Sequence, residues 1–140
     1  MKTGQGSASN EFESEAVTAK VVDRFIEAFR QKDDTAIADL VAQDCVMETI
    51  QPAPDGERVE GYDANVRFWR AMIADPNGSF EVEDVLICGD RAINRWRYRF
   101  GEGEENSVRG VTLIQVCRGK IVEALAYAKT PPRTALGQKR

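Results

Sequence analysis

Hydrophobic residues recur at two different spacings along the chain, and each spacing predicts a different kind of element. Over residues 14–31 they repeat every three or four positions, with charged residues on the opposite face, which is typical of an amphipathic α-helix. A second, short helix is expected after Asp33 or Asp34, because either carboxylate can cap its first turn. A third helix begins near Tyr62 and ends at the turn signal of residues 75–78.

The other spacing is the alternation that is typical of β-strands. Residues 45–50 predict a first strand, and residues 51–61, with two prolines and two glycines, predict a loop or a short hairpin. Four further strands joined by short turns are expected at residues 80–88, 92–100, 107–117 and 120–129. Strands connected in this way form an antiparallel meander. Three helices followed by such a sheet predict the α+β class.

The length of 140 residues suits one domain, and 42% hydrophobic and 30% charged residues are ordinary for a globular protein. We expect this domain at 13–130, between a disordered polar leader at 1–12 and a polar tail at 131–140. The net charge of −4 leaves no broad basic field for nucleic acid, and no apolar run is long enough to span a membrane. Because the first residues lack a signal-peptide pattern, the expected location is cytoplasmic.

The chain contains no histidine, which excludes a Ser-His-Asp triad, a Cys-His pair and any histidine-ligated metal. The cysteines Cys45, Cys88 and Cys117 form no CxxC pair and lie in strand-like apolar runs, so we interpret them as reduced core residues. We expect no metal and no cofactor. Any proton transfer must therefore use Asp, Glu, Tyr, Lys or Cys.

The order of elements resembles the nuclear transport factor 2-like superfamily, in particular its SnoaL-like polyketide cyclases and ketosteroid isomerase. Four segments carry the resemblance: VVDRFIEAFRQKDDTAIADLVAQDCVMETI, GYDANVRFW, GDRAINRWRYRF and VRGVTLIQVCRGKIVEALAYAK. The resemblance implies a cone-shaped α+β fold, with three N-terminal helices packed on a curved, mostly antiparallel sheet around one apolar pocket. It says less about function, because this fold carries many unrelated activities.

Strand alternation predicts which side chains face that pocket. Trp96 lies on the same face as Leu86 and Cys88 of the strand before it, and the resemblance places the small residues of the last strand in the cavity. These small residues suggest room for a ligand, unless long helix side chains such as Trp69 or Phe29 fill the space. The residues predicted to line the cavity are Phe25, Phe29, Met47, Thr49, Trp69, Trp96, Tyr98, Thr112, Ala124 and Ala126.

Ketosteroid isomerase needs a carboxylate base, with a tyrosine and a protonated acid as donors to the oxyanion. By the resemblance, Phe25 stands at the position of the tyrosine, Thr49 at that of the base and Thr112 at that of the protonated acid. Phe25 cannot donate a hydrogen bond, and neither threonine is a plausible base, although both could bind a polar group. Ketosteroid isomerisation is therefore not expected. Two carboxylates remain as catalytic candidates: Glu48, if a bulge turns it inward, and Asp84, on the predicted inner face.

The outer face of the sheet is predicted to combine charged pairs with apolar residues. Arg95, Arg97 and Arg99 form a basic stripe that could bind an anion, but Glu81 and Glu83 lie on the matching face of the neighbouring strand. We interpret the stripe as cross-strand ion pairs. Because relatives of this fold commonly bury this face in a two-fold dimer, we expect a homodimer. The apolar residues expected there are Val85, Ile87, Ile93, Leu125 and Tyr127.

The sequence leaves three functions open. The first is an enzyme that isomerises, cyclises or dehydrates a small, mostly apolar molecule with a carbonyl or hydroxyl group, using Glu48 or Asp84. The second is a module that binds such a molecule without reaction. The third is a structural dimerisation domain that binds no ligand. An inward-facing carboxylate favours the first, an open cavity without one favours the second, and a filled cavity favours the third.

Overall fold

The computed structural model describes the backbone of residues 2–129 and the side chains of residues 15–129. The elements are α1 Lys2–Arg30, the 3₁₀ helix Asp34–Asp39, β1 Val41–Glu48, β2 Arg58–Glu60, α2 Tyr62–Ala74, β3 Ser79–Cys88, β4 Arg91–Arg99, the 3₁₀ helix Glu104–Asn106, β5 Ser107–Cys117 and β6 Lys120–Ala128. Among residues 2–129, no helix is long and apolar enough to cross a membrane.

The strands form one six-stranded sheet in the order β2-β1-β6-β5-β4-β3. Neighbouring strands are antiparallel except β1 and β6, which are parallel. The helices contribute to a single buried cluster with side chains from one face of the sheet. The α+β class, the three N-terminal helices and the antiparallel meander from β3 to β6 agree with the sequence prediction.

Side chains at the helix ends hold the helical layer in place over the sheet. Asp33 caps the 3₁₀ helix Asp34–Asp39 by accepting a hydrogen bond from the backbone N–H of Thr35 at 3.1 Å. On α2, the buried Asn65 donates from Nδ2 to the carbonyls of Cys45 and Val59, both at 3.1 Å, so it ties the helix to β1 and β2. These bonds satisfy backbone groups that the packed layers would otherwise leave without partners.

Several boundaries differ from the prediction. The first strand begins at Val41 rather than at residue 45, because Val41 pairs with Ile121 of β6 instead of continuing the short helix. Residues 58–60 of the expected loop form β2, which gives the short hairpin that was the alternative there. Helix α1 begins at Lys2, so the segment expected as a disordered leader at 1–12 is helical from that residue. The predicted tail at 131–140 lies outside the described residues.

A β-bulge in β3 overturns the predicted faces of that strand's second half. Val82 pairs with Trp96, but the next pairing joins Asp84 to Arg95, so Glu83 is an additional residue in the strand. One extra residue reverses which face each later side chain occupies. The physical reason is the consecutive pair Glu83-Asp84, since an unbroken strand would have turned the Asp84 carboxylate towards the apolar core.

The residues after the bulge lie on the faces opposite to those predicted. Leu86, expected to face the pocket, is 56% exposed, and Cys88 is exposed as well. Val85 and Ile87, expected on the outer face, pack against the core instead. The assignment of these four residues from simple alternation was therefore wrong.

Candidate functional site

A cavity of about 530 Å³ lies between the helical layer and the inner face of the sheet. Phe29 and Trp69 form part of its wall and do not fill it, so the space that the small residues of β6 suggested is present. All ten residues predicted as ligand contacts line this one cavity: Phe25, Phe29, Met47, Thr49, Trp69, Trp96, Tyr98, Thr112, Ala124 and Ala126. Whether they contact a ligand stays a prediction.

One wall of the cavity is a continuous chain of aromatic rings. Trp69 of α2 packs edge-on against Phe25 and Phe29 of α1, with ring centroids 4.9 and 5.7 Å apart. Phe80 of β3 continues the chain from Phe29 to Trp96, at 5.1 and 5.2 Å. Edge-to-face packing of this kind fixes the rings relative to one another. The chain therefore gives the cavity a rigid apolar wall with two indole groups in it.

Small side chains form the floor of the cavity on the central strands. Ala124 of β6 lies between Met47 of β1 and Ile114 of β5, and Ala126 pairs with Thr112. Ala124 is only 2% exposed, and Ala126 lines the cavity beside it. Because each alanine projects a single methyl group, the centre of the sheet leaves open the volume that a larger residue would occupy.

The buried part of the cavity wall also carries neutral polar groups. The indole Nε1–H of Trp96 donates to Oγ1 of Thr112 at 2.9 Å. Next to this pair, Asn94 is 6% exposed, and its Oδ1 has no hydrogen-bond partner among the described residues. Asn94 on β4 and Thr112 on β5 are directly paired across the strands, so their side chains are neighbours on the inner face.

Asn94 was not among the residues predicted to line the cavity, although the sequence carries a signal for it. Asn94 lies two residues before Trp96 on β4, so alternation places both on the inner face. A carboxamide at a core position of a strand is uncommon, and a buried polar group of this kind needs a hydrogen-bond partner. Phe80 lies six residues before Leu86 on the same strand, so alternation places it on the inner face too; it lines the cavity but was not counted among the predicted residues.

Two of the predicted polar contacts are already engaged or directed elsewhere. The hydroxyl of Thr49 donates to the carbonyl of Gln51 at 2.6 Å and accepts from the N–H of Glu57 at 2.9 Å, so it holds the loop before β2. The ring of Tyr98 lines the cavity, but its hydroxyl approaches Gly78 at the turn before β3. Burial, with a smaller contribution from the charge of Asp75, raises the pKa of the Tyr98 phenol.

The two candidate carboxylates lie in different places. Glu48 borders the cavity at the end of β1, where its side chain is 35% exposed and its carboxylate lies 3.6 Å from Nη1 of Arg58. Asp84 does not reach the cavity: it is exposed on the outer face, 3.8 Å from Nη1 of Arg95. The prediction that Asp84 is a pocket carboxylate was wrong, because the bulge at Glu83 turns it to solvent.

Charged side chains border the cavity only where it opens to solvent. We call this set, Arg30, Glu48, Glu57 and Glu81, the rim. None of the fully buried lining residues in the described part of the chain is charged. Residues 15–129 also contain no cluster of three or more Asp, Glu, Cys or His side chains that could hold a metal ion. The inner cavity can therefore bind by apolar contact and neutral hydrogen bonds.

The basic stripe on the outer face is paired, as expected. Arg99 donates from Nε to Glu81 at 2.6 Å, and Arg95 lies 3.5 Å from Glu83. Glu83 also accepts two hydrogen bonds from Arg109, at 2.7 and 3.0 Å, which lower the pKa of its carboxyl. The remaining arginine, Arg97, pairs with Glu104 at 3.0 Å and so lies outside the predicted pairing with Glu81 and Glu83.

Comparisons with known proteins agree with this architecture. A family model described as a SnoaL-like domain matches residues 22–124. A nuclear transport factor 2-like protein of unknown function from Mesorhizobium loti is 43% identical, with a TM-score of 0.79, over 83% of this chain and 93% of that one. A search of curated proteins finds no match.

More distant solved structures share the fold. A candidate polyketide cyclase from Sinorhizobium meliloti is 22% identical, with a TM-score of 0.63, over 77% of this chain and 94% of that one. A candidate ketosteroid isomerase from Kribbella flavida is 20% identical, with a TM-score of 0.66, over 87% of this chain and 88% of that one. The fold is therefore nuclear transport factor 2-like, and at this level of identity the likeness extends to the fold alone.

Proposed function

The chain belongs to the SnoaL-like domain family, and on that premise we propose that it binds a small, mostly apolar, uncharged molecule that bears a carbonyl or hydroxyl group. One observation carries the proposal: an open cavity of about 530 Å³ whose buried lining is apolar or neutral and polar. A ligand that buries ~200 Å² of apolar surface gains about 5 kcal/mol before the cost of association. That cost leaves an affinity in the micromolar range or weaker.

A panel of steroid-, terpene- and polyketide-like compounds tests the proposal. Both tryptophans of the chain line the cavity, so we expect at least one compound class to change the tryptophan fluorescence and to raise the melting temperature. Ala126→Phe is the matched variant, because it fills the floor of the cavity and leaves the rim unchanged; it should abolish both effects. If no compound binds and a crystal structure shows side chains filling the cavity, the protein is a structural domain and the proposal is wrong.

A second candidate function is catalysis by Glu48, supported by the position of this carboxylate at the rim. The reactions in question are isomerisation, cyclisation or dehydration of a carbonyl- or hydroxyl-bearing molecule, of which two are suggested by the names of the distant relatives. Glu48 would act as the general base, since Thr49 and Thr112 cannot. With a compound that turns over, Glu48→Gln should abolish turnover and keep binding, whereas Asp84→Asn, on the opposite face, should leave both unchanged.

We also propose that the protein is a homodimer, paired through the outer face of the sheet. Leu86, Ile93, Leu113 and Leu125 are consecutive cross-strand neighbours and form an apolar row across β3, β4, β5 and β6. Leu86 and Ile93 are 56% and 38% exposed, and Tyr127, two residues beyond Leu125 on the same face of β6, is 55% exposed. The ion-paired Arg95 lies two residues from Ile93 on β4, and Arg97 and Arg99 follow on the same strand, which would place this stripe beside a two-fold interface.

A further inference from the structure

Asn94 is a buried carboxamide on the cavity wall with an unused acceptor. Its side chain lines the cavity, the residue is 6% exposed, and Oδ1 has no hydrogen-bond partner among the described residues. Buried polar atoms in folded proteins are nearly always paired, so an unpaired one inside a cavity calls for an explanation. Oδ1 is shielded from the cavity in the present orientation of the carboxamide, so a ligand that donates a hydrogen bond reaches it when the carboxamide turns about its Cβ–Cγ bond and thereby provides the missing partner.

Thr112, the direct cross-strand neighbour of Asn94, offers the complementary group. Its Oγ1 accepts a hydrogen bond from the indole N–H of Trp96 at 2.9 Å. Among the described residues, the Thr112 hydroxyl makes no other hydrogen bond. The hydroxyl proton thus remains available to an acceptor in the cavity. Accepting from Trp96 also polarises the hydroxyl and strengthens it as a donor.

Resting on the proposed function, we propose that Asn94 and Thr112 together hold the polar end of the ligand. The ligand is then an uncharged molecule that presents a hydrogen-bond donor beside an acceptor, as a carboxamide or a hydroxy ketone does. Thr112 donates to the acceptor, and Asn94 accepts from the donor; rotation of the carboxamide can bring either of its polar atoms to the cavity. An ionised carboxylate is disfavoured, because none of the buried lining residues within 15–129 supplies a positive charge.

Three probes of the same shape separate these contributions: 2-naphthamide has a donor and an acceptor, 2-acetonaphthone has only the acceptor, and 2-naphthoate is charged. Binding to the wild type, to Asn94→Leu and to Thr112→Val is measured by calorimetry. The free energy of removing a given probe from water is the same whichever protein binds it. The ratio of the affinities of two proteins for one probe therefore does not depend on the hydration of that probe. Asn94→Ala provides the same comparison if leucine is not accommodated at this position.

We expect Asn94→Leu to lower the affinity for 2-naphthamide about tenfold relative to 2-acetonaphthone, a typical effect of one buried hydrogen bond. Thr112→Val should weaken both neutral probes by a similar factor, of roughly fivefold, because both accept from its hydroxyl. The wild type should bind 2-naphthoate at least about tenfold more weakly than the ketone.

Two different failures can be told apart. If the neutral probes bind but Asn94→Leu and Asn94→Ala leave the amide-to-ketone ratio unchanged, the role of Asn94 is wrong and the binding function stands. If 2-naphthoate binds as tightly as 2-acetonaphthone, the preference for an uncharged ligand is wrong, and the binding function again stands. If neither neutral probe binds to the wild type while a compound of the panel does, this inference fails and the binding function stands. If no compound binds and side chains fill the cavity, both fail.

Discussion

The indole Nε1 of Trp96 and the hydroxyl of Thr112 meet at 2.9 Å on the wall of the cavity, joining β4 to β5 through their side chains. Trp96 is 4% exposed and Thr112 is 6% exposed, so the bond is largely shielded from solvent. The same bond fixes the position of one cavity indole and orients the threonine hydroxyl. It therefore connects the stability of the sheet to the polarity of the cavity.

Thr112→Val should destabilise the protein by about 1–3 kcal/mol, because it leaves a buried indole N–H without an acceptor at nearly constant side-chain volume. Urea unfolding measures the change in the free energy of unfolding. In a Trp96→Phe background, which has no N–H to satisfy, the same substitution should cost much less. Equal costs in the two backgrounds would show that the two side chains are not coupled.

Gly78→Ala should destabilise the protein by forcing Tyr98 to move. A Cβ atom at Gly78 would lie 2.1 Å from the Tyr98 hydroxyl oxygen and 2.8 Å from Cζ, so the ring must be displaced. Overpacking of this kind costs roughly 1–3 kcal/mol. In a Tyr98→Leu background the cost should fall to about 0.5 kcal/mol or less. If Gly78→Ala costs as much in the Tyr98→Leu background as in the wild type, the loss of stability comes from the backbone of the turn and not from the contact with Tyr98.

Of the three cysteines, Cys45 should be the one whose thiol is protected from chemical modification in the native protein. Burial, with the charges of Asp44 and Glu123 adding to it, raises the pKa of the Cys45 thiol from 9.0 to about 12. Cys88 and Cys117 are exposed, so the interpretation of all three cysteines as core residues was right for Cys45 alone. At pH 8, a thiol reagent such as Ellman's reagent should therefore modify two cysteines at once and the third only after unfolding. Three equal reaction rates in the native protein would contradict the burial of Cys45.

The same shift predicts a dependence of stability on pH. The unfolded thiol of Cys45 loses its proton near pH 9.0, whereas the folded thiol keeps it until about pH 12, so the folded chain binds more protons between these values. The contribution of this group is fully present below pH 9 and is lost as the pH rises towards 12. Cys45→Ala should remove this part of the decline, which unfolding experiments between pH 8 and 11 would measure against the wild type.

Leu113→Glu should convert the proposed homodimer into a monomer. Leu113 lies in the middle of the apolar row on the outer face and is 36% exposed, so a carboxylate there would be buried against its two-fold equivalent. Light scattering should give twice 15.6 kDa for the wild type and 15.6 kDa for the variant. Ala71→Glu, exposed on α2, is the charge-matched control and should stay dimeric. A wild type that is monomeric at micromolar concentration would contradict the proposed interface.

Sequence patterns located most of the cavity because its walls come from regular elements. Phe25 and Trp69 follow from helical spacing, and Trp96 follows from the alternation of a strand that remains regular around it. Thr112 was placed there by the family resemblance. The β1–β2 hairpin was less predictable, since prolines and glycines dominate its connection. Its strand pairing is determined by contacts between distant segments, which local propensity does not describe.

The bulge at Glu83 shows where alternation fails. Simple counting places Asp84 inside and Val85 outside, and the structure reverses both. The consecutive acidic residues were the available signal, because no regular strand can expose both of two adjacent side chains on one face. The hydrogen-bonding state of Asn94, in contrast, depends on its neighbours in space and had no sequence signal beyond its position.

The most direct test of a ligand cavity is an NMR titration that follows the indole N–H signals of the chain's two tryptophans, both of which line the cavity. The compound that binds most strongly in the panel is added to the wild type and to Ala126→Phe. We predict that the signals of Trp69 and Trp96 both move and saturate together in the wild type, and that neither responds in the variant. Indole signals that stay in place while the compound binds, or that move equally in Ala126→Phe, would contradict binding in this cavity.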